Sequence, residues 1–405
     1  MPTFYNFKQD GNTHSFDDVF IPVDAFRQGN LWTWGWNGYG QLGINVSGFV
    51  SSSHRFTPVT TFAGGSNWKQ VAYGGTYVTA AIKTDGTLWN WGQNSWGGLG
   101  INSSGNVICT PVTTFAGGTN WKSVGCSEIN VAAIKTDGTL WVWGFNYYGN
   151  IGDNTITARR ITPVTTFAGG TNWKQVAGGY AHFAAIKTDG TLWTWGYNNE
   201  GQLGVNDIAI RCTPVTTFAG GTNWKQVSAA RFHTEAIKTD GTLWVWGRNI
   251  YGNLGVNDTT GRVTPVTTFA GGTNWKQVAS GYAHTAAIKT DGTLWTWGRN
   301  DYGQLGINDT TNRLTPVTTF AGGTNWKQVA CSEDAHTAAI KTDGTLWTWG
   351  NNAYGYLDPG GALGVNDIAI RCTPVTTFAG GTNWKQVSCS GRGNMSAIEY
   401  IDPVL

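Results

Sequence analysis

The chain predicts an all-β fold: a seven-bladed β-propeller of four-stranded blades, its ring closed by strands from both termini. Three observations carry this. Two short blocks alternate seven times along the 405 residues, each unit reads as four short strands, and the two ends of the chain complement each other.

The first block is "LWxWG", with paired tryptophans at Trp32 and Trp34, Trp89 and Trp91, Trp141 and Trp143, Trp193 and Trp195, Trp244 and Trp246, Trp295 and Trp297, and Trp347 and Trp349. The second is "TPVTTFAGGTNWKQV" or a near copy, with Trp68, Trp121, Trp173, Trp224, Trp275, Trp326 and Trp384. Within a unit, "TPVTTF" and "WKQVA" are β-branched and aromatic, as strands are. "AGG" turns the chain between them. "TAAIKT" and "TLWTW" are joined through Asp-Gly, whose residues tolerate positive φ and so favour a tight hairpin. No segment shows a capped helical period, so helix is expected to be nearly absent.

A blade cannot cover both of its own faces. Side chains alternate along a strand, so the two tryptophans of "LWTWG" share one face. Each buries roughly 150–250 Å², and the twelve from Trp89 to Trp349 are expected to form the core between blades. The last unit stops at "MSAIEYIDPVL" without an "LWxWG", which "NLWTWG" from the N-terminus supplies, removing a free edge. Residues 1–28 are then a partly additional arm, and residues 29–405 one propeller domain.

Composition narrows the function. Charged residues make up 12% and aromatics 13%, with 58 glycines, a balance opposite to that of disordered chains. The net charge of +2 includes no basic block, so neither nucleic acid nor an anionic membrane is an expected partner. No long apolar run exists to span a bilayer, and the first residues lack a secretory pattern. Cys109, Cys212 and Cys372 occupy a slot filled elsewhere by Phe56, Ile161, Val263 and Leu314, and Cys126, Cys331 and Cys389 one filled by Tyr73, Gly178, Ala229 and Ser280. None has CxxC spacing, so all six read as structural thiols.

His182, His233, His284 and His336 recur in one slot. Equivalent positions on successive blades lie too far apart to converge on one ion, so they read as structural hydrogen-bonding groups. The "TDG" acids and Asp207, Asp258, Asp309 and Asp367 read as turn-setting residues, without the dense oxygen ligands of a calcium loop. The lysines of "WKQV" and "IKTDG" read as solvated strand-edge charges. No nucleophile elbow, phosphate loop or His–Asp–Ser pattern is visible, so no enzyme, cofactor or metal is expected.

The stretch "HTAAIKTDGTLWTWGRNDYGQLGINDTTNRLTPV" resembles the repeat of the regulator of chromosome condensation family: His-Thr, a Gly hairpin, an aromatic-x-Trp-Gly strand, Asn-x-x-Gly-Gln-Leu-Gly and a Pro. The resemblance spans about residues 20 to 400 and implies a seven-bladed propeller. The family's founder is a nucleotide-exchange factor for a small GTPase that binds chromatin, and its bacterial relatives include a secreted β-lactamase inhibitor. This sequence carries no long insertion like the exchange factor's wedge and no basic tail. Its uniform array and the opening "DDVFIPVDAFRQG" look most like phage-type members.

Function is therefore expected where the repeat varies, after "WKQV" and after "WG", in connections gathered at the two ends of the ring. Aromatic and Arg residues there suit interface anchors: Trp36, Tyr39, Trp96, Tyr148, Arg231, Arg248, Tyr251, Arg299, Tyr302, Tyr356 and Arg392. The expected function is a non-enzymatic protein-binding propeller, a phage virion component contacting other virion proteins and, through assembly, its own copies. The alternatives are a soluble protein-binding or enzyme-inhibiting propeller in the cytoplasm and, behind it, an exchange factor.

Overall fold

A computed structural model describes residues 28–48, 53–75, 77–353, 361–391 and 393–401. Twenty-eight strands form seven antiparallel four-stranded sheets, with no α-helix among the described residues. The expected arm, apart from Gln28, lies outside these residues, as do Tyr356 and Arg392.

The first complete blade shows the plan. Strand β3 (Trp68–Gly74) is innermost, followed outward by β4 (Val78–Lys83), β5 (Leu88–Gln93) and β6 (Val107–Thr113). We refer to the four positions as a, b, c and d. The closing blade is built from β27 (Trp384–Cys389), β28 (Asn394–Ile401), β1 (Gln28–Gly35) and β2 (Arg55–Thr60). Strand β1 pairs with β28 in unbroken register from Gln28 opposite Ile401 to Gly35 opposite Asn394. The first and last strands of the chain are thus one ladder.

The core consists of seams between blades. The seam ahead of the second blade packs Val78, Ala80, Ile82 and Leu88 of the first blade against Trp121, Val124 and Trp143. The closing seam packs Leu31 and Ile398 against Trp68, Val71 and Trp91. Both tryptophans of each "LWxWG" face the preceding blade, but they are not equivalent. Trp91, Trp143, Trp195, Trp246, Trp297 and Trp349 are fully buried, whereas Trp89, Trp141, Trp193, Trp244, Trp295 and Trp347 are half-buried. The outer tryptophan meets the a-strand tryptophan edge-on, as at Trp275 and Trp295 (centroids 6.3 Å apart).

The "IKTDG" lysine covers that pair. Lys289 Nζ lies 4.8 Å from the Trp275 centroid and 4.3 Å from that of Trp295, and six blades repeat this. These lysines are cation–π partners, which corrects their reading as plain solvated charges. The last blade places Glu399 there instead, accepting a hydrogen bond from Trp32 Nε1 at 2.9 Å.

The Asp-Gly hairpin is a docking element as well as a turn. Asp137 Oδ1 accepts from Thr139 N (2.9 Å) and Thr139 Oγ1 (2.7 Å), and these bonds hold its carboxyl below the usual carboxylate range. Gly138, at φ 79°, sits where an added Cβ would lie 2.0 Å from the Thr171 carbonyl of the next blade, so only glycine fits.

Around the axis, the glutamine of "WKQV" reaches to the next blade. Gln277 Nε2 donates to Val329 O and Gln277 Oε1 accepts from Val329 N, both at 3.2 Å. The same two bonds recur from Gln70, Gln175, Gln226, Gln328 and Gln386. The second blade reads "WKSV", and Ser123 makes no such bridge to Val176 among the described contacts.

Candidate partner-binding site

The a–b and c–d connections, the two variable parts of the repeat, open at the same end of the ring. This corrects the expectation that they divide between the two ends, and follows from the antiparallel meander, in which alternate connections share an edge. The other end carries the b–c hairpins and the "TTFAGG" turns between blades. There Thr84 N of the first hairpin donates to Asn67 O at the entry to the a-strand, and Thr61 N donates to Leu31 O at the start of the c-strand.

On the variable end, Arg231 is the centre of the densest cluster. Its guanidinium carbon lies 4.7 Å from the Tyr180 ring centroid, 5.4 Å from Tyr282 and 5.5 Å from Phe232. These rings come from three successive a–b connections. Arg231 Nε is buried without a hydrogen-bond partner. Arg248 lies 5.4 Å from the Phe232 ring centroid. Arg299 sits between Tyr251 (5.1 Å) and Tyr302 (5.7 Å), with Nε donating to Asp301 at 2.8 Å. Beside this cluster a cleft of about 400 Å³ is lined by Arg231, Tyr282, His284, Arg299, Tyr302, Gln304, Glu333 and Asp334. Gln304 Nε2 there is also buried and unpartnered. Burial, with Glu128 nearby, pushes the Glu333 carboxyl above its usual range.

Earlier along the ring, Trp96 and Tyr148, each 37% exposed, flank Phe145 at 5.2 and 5.8 Å. They share a cleft of about 300 Å³ with Tyr77, Glu128 and Tyr180. Tyr180 borders both this cleft and the Arg231 cluster, so the two form one aromatic and cationic arc. Tyr39 is half-buried, 5.2 Å from Tyr77. Trp36 is not exposed as expected: it is fully buried, stacked on His54 at 6.2 Å and edge-on to Tyr39 at 5.4 Å. Tyr180, Phe232, Tyr282 and Glu333 were missed as anchors, although the variation after "WKQV" marks their segments.

The buried histidines serve the seams. His182 Nε2 lies 3.0 Å from Thr234 Oγ1 of the next blade and His284 Nε2 3.1 Å from Thr337 Oγ1. Burial lowers His182, His284 and His336 to about 3. The turn acids bond their own backbone as expected and also hold an arginine that the sequence reading overlooked: Asp258 accepts from Thr260 N at 2.8 Å and from Arg262 Nη2 at 2.6 Å. All six cysteines are free thiols.

One cluster was invisible in the sequence. Glu235 replaces an alanine of the repeat and is fully buried, 3.0 Å from His233 Nε2 and 2.7 Å from Thr285 Oγ1, and it also accepts from Ser280. Ser280 addresses the carboxylate and not the imidazole, and Thr285 Oγ1, 3.5 Å from His233 Nε2, is fully buried and bonded more closely to Glu235 and Asn253 O.

A family model described as the RCC1-like domain matches residues 110–398, and one for the regulator of chromosome condensation (RCC1) repeat matches residues 28–81. The chain belongs to the RCC1-like domain family. It is 32% identical over 297 residues to the ultraviolet-B receptor UVR8 of Arabidopsis thaliana, covering 72% of this chain and 66% of the receptor. It is 26% identical over 280 residues to the mitochondrial protein RUG3 of the same plant, covering 67% of this chain and 63% of that protein. Human HERC2, an E3 ubiquitin-protein ligase, is 31% identical over 234 residues, covering 56% of this chain and 5% of its own length. The chain thus spans about two thirds of the plant relatives and a small part of the ligase.

Human WBSCR16 superposes with a TM-score of 0.78 at 21% identity, covering 91% of this chain and 99% of that one. Yeast Prp20p, described as binding Gsp1p and histones, superposes at 0.79 with 19% identity, covering 93% of each chain. At such identities these likenesses establish the fold. The phage and virion reading finds no support among these relatives.

Proposed function

We propose that this RCC1-like propeller works by binding a protein, with the Arg231 arc as its contact surface. The observation that carries the reading is Arg231 held among Tyr180, Phe232 and Tyr282 beside a cleft with two unpartnered buried donors. Arg and Tyr packed in this way are the residue types that dominate interface energetics. The unpartnered Arg231 Nε and Gln304 Nε2 suit a carbonyl or carboxylate presented by an inserted segment.

Crosslinking with mass spectrometry in the native source identifies the partner and the residues it touches. Arg231→Ala and Tyr282→Ala are expected to abolish those crosslinks while the β-sheet circular dichroism spectrum is kept and the melting midpoint falls by no more than a few degrees; crosslinks that persist would refute the assignment. In the finer reading the partner is another virion protein, and finding the chain in purified phage particles would test that. The exchange-factor alternative draws on the family resemblance, and predicts faster nucleotide release from a small GTPase on adding this protein.

A further inference from the structure

The opposite end of the ring carries a second, unassigned surface. Its seven "TTFAGG" turns each present one phenylalanine, from Phe62 to Phe378, at 63–67% exposure; these are the seven most exposed large apolar side chains among the described residues. Nothing in the fold requires them, because an exposed ring contributes little to a seam. Exposed positions at the variable end differ from blade to blade, whereas this phenylalanine is present in all seven copies.

Charge is sorted in the same direction. Every lysine among the described residues lies at this end: seven in "WKQV" or "WKSV" and six over the tryptophan pairs. Of the first seven, six are exposed. Against these thirteen lysines stand six hairpin aspartates and Glu399, leaving an excess of six positive charges. At the variable end ten arginines are balanced by ten exposed or half-buried acids. The net charge of +2 therefore conceals a basic face among the described residues.

We propose that this end docks peripherally on an anionic lipid bilayer. Equivalent positions in seven repeats around one axis lie at one height, so the phenylalanines form a coplanar ring with the lysines inside it. A plane is the partner whose shape all seven can meet together. A linear polyanion or an irregular protein surface meets only some of them. Apolar rings entering the headgroup boundary, with lysines at the lipid charges, are the two forces that hold peripheral proteins on membranes. No helix of the described chain is long and apolar enough to cross a bilayer, and this mode needs none.

The test is flotation of the full-length protein with phosphatidylcholine vesicles, alone or with about 30% phosphatidylserine. Partition onto the anionic vesicles is expected to exceed that onto neutral ones by about tenfold and to fall away at high salt. Phe218→Ser, Phe269→Ser and Phe320→Ser combined are expected to lower it about tenfold with an unchanged melting midpoint, since these side chains are already exposed. Lys225→Gln, Lys276→Gln and Lys327→Gln combined should weaken it independently. Absence of binding to anionic vesicles, or binding indifferent to the phenylalanines, overturns the proposal. So does tighter binding to poly-glutamate or duplex DNA, or a phenylalanine-dependent dimer in ultracentrifugation.

Discussion

Replacing Gln277 by alanine isolates one of the amide bridges around the axis. The substitution removes two hydrogen bonds of 3.2 Å and leaves the amide and carbonyl of Val329, itself buried, without those partners. At about 1 kcal/mol for each net bond, the loss is about 2 kcal/mol, rising toward 4 if the orphaned groups stay dry. Unfolding entropy near 2.1 cal/mol/K per residue gives about 0.85 kcal/mol/K for a chain of this length, so the midpoint should fall by about 2–5 °C. The structure supplies its own control. Ser123 occupies the same slot without a bridge, so Ser123→Ala should shift the midpoint by less than about 0.5 °C, within the range of ordinary surface substitutions. Differential scanning calorimetry on both variants decides the matter. Equal shifts, or a larger one at Ser123, would refute the idea that the amide bridges stabilise the seams.

Three further outcomes follow from the packing. His182, His284 and His336 are held neutral, with folded values near 3 against about 6.5 unfolded. Their contribution is complete above pH 6.5 and shrinks below it, by about 1.4 kcal/mol per pH unit for each once the unfolded form is protonated. Urea midpoints measured from pH 7 to 4 should fall accordingly, and a flat profile would contradict the assignment. Lys289→Met removes a cation shared by two tryptophans and should cost about 1 kcal/mol, whereas Lys276→Met, exposed and unstacked, should cost nothing measurable by the same urea titration. Glu235→Ala restores the residue of five other copies and removes a buried carboxylate, while Thr285 keeps its bond to Asn253 O at 2.9 Å. Stability should change by less than about 1 kcal/mol, and a loss of 3 or more would mean that the buried Glu235 contacts are a stabilising feature.

The fold was legible because its signals are local and repeated. Asp-Gly hairpins, "TPVTTF" and the tryptophan spacing each declare a strand or turn within a few residues, and the incomplete last unit announced closure. The site was legible in part. Arg231, Arg248 and Arg299 stood out by residue type, but their aromatic neighbours come from three successive connections, and spacing along the chain does not report proximity around a ring. Trp36 was misplaced for a related reason: its loop folds back against His54, a contact no periodicity encodes. The lysines show the sharpest limit. Six of the thirteen lie two residues before an aspartate and so looked neutralised, yet the meander returns all thirteen to the same end while the arginines go to the other.

The ladder between β1 and β28 has a consequence for biosynthesis. Strand β1 must wait for a partner about 370 residues downstream, which at 5–20 residues per second is roughly 20–70 s of translation. Throughout that interval β1 has only β2 beside it, its other edge stays unpaired, and six blades stand as an open arc. The nascent propeller thus passes through a horseshoe before it becomes a ring. The molecule's vulnerability to aggregation, and to pairing with the edge of a neighbouring nascent copy, is concentrated in the time before its first strand meets its last.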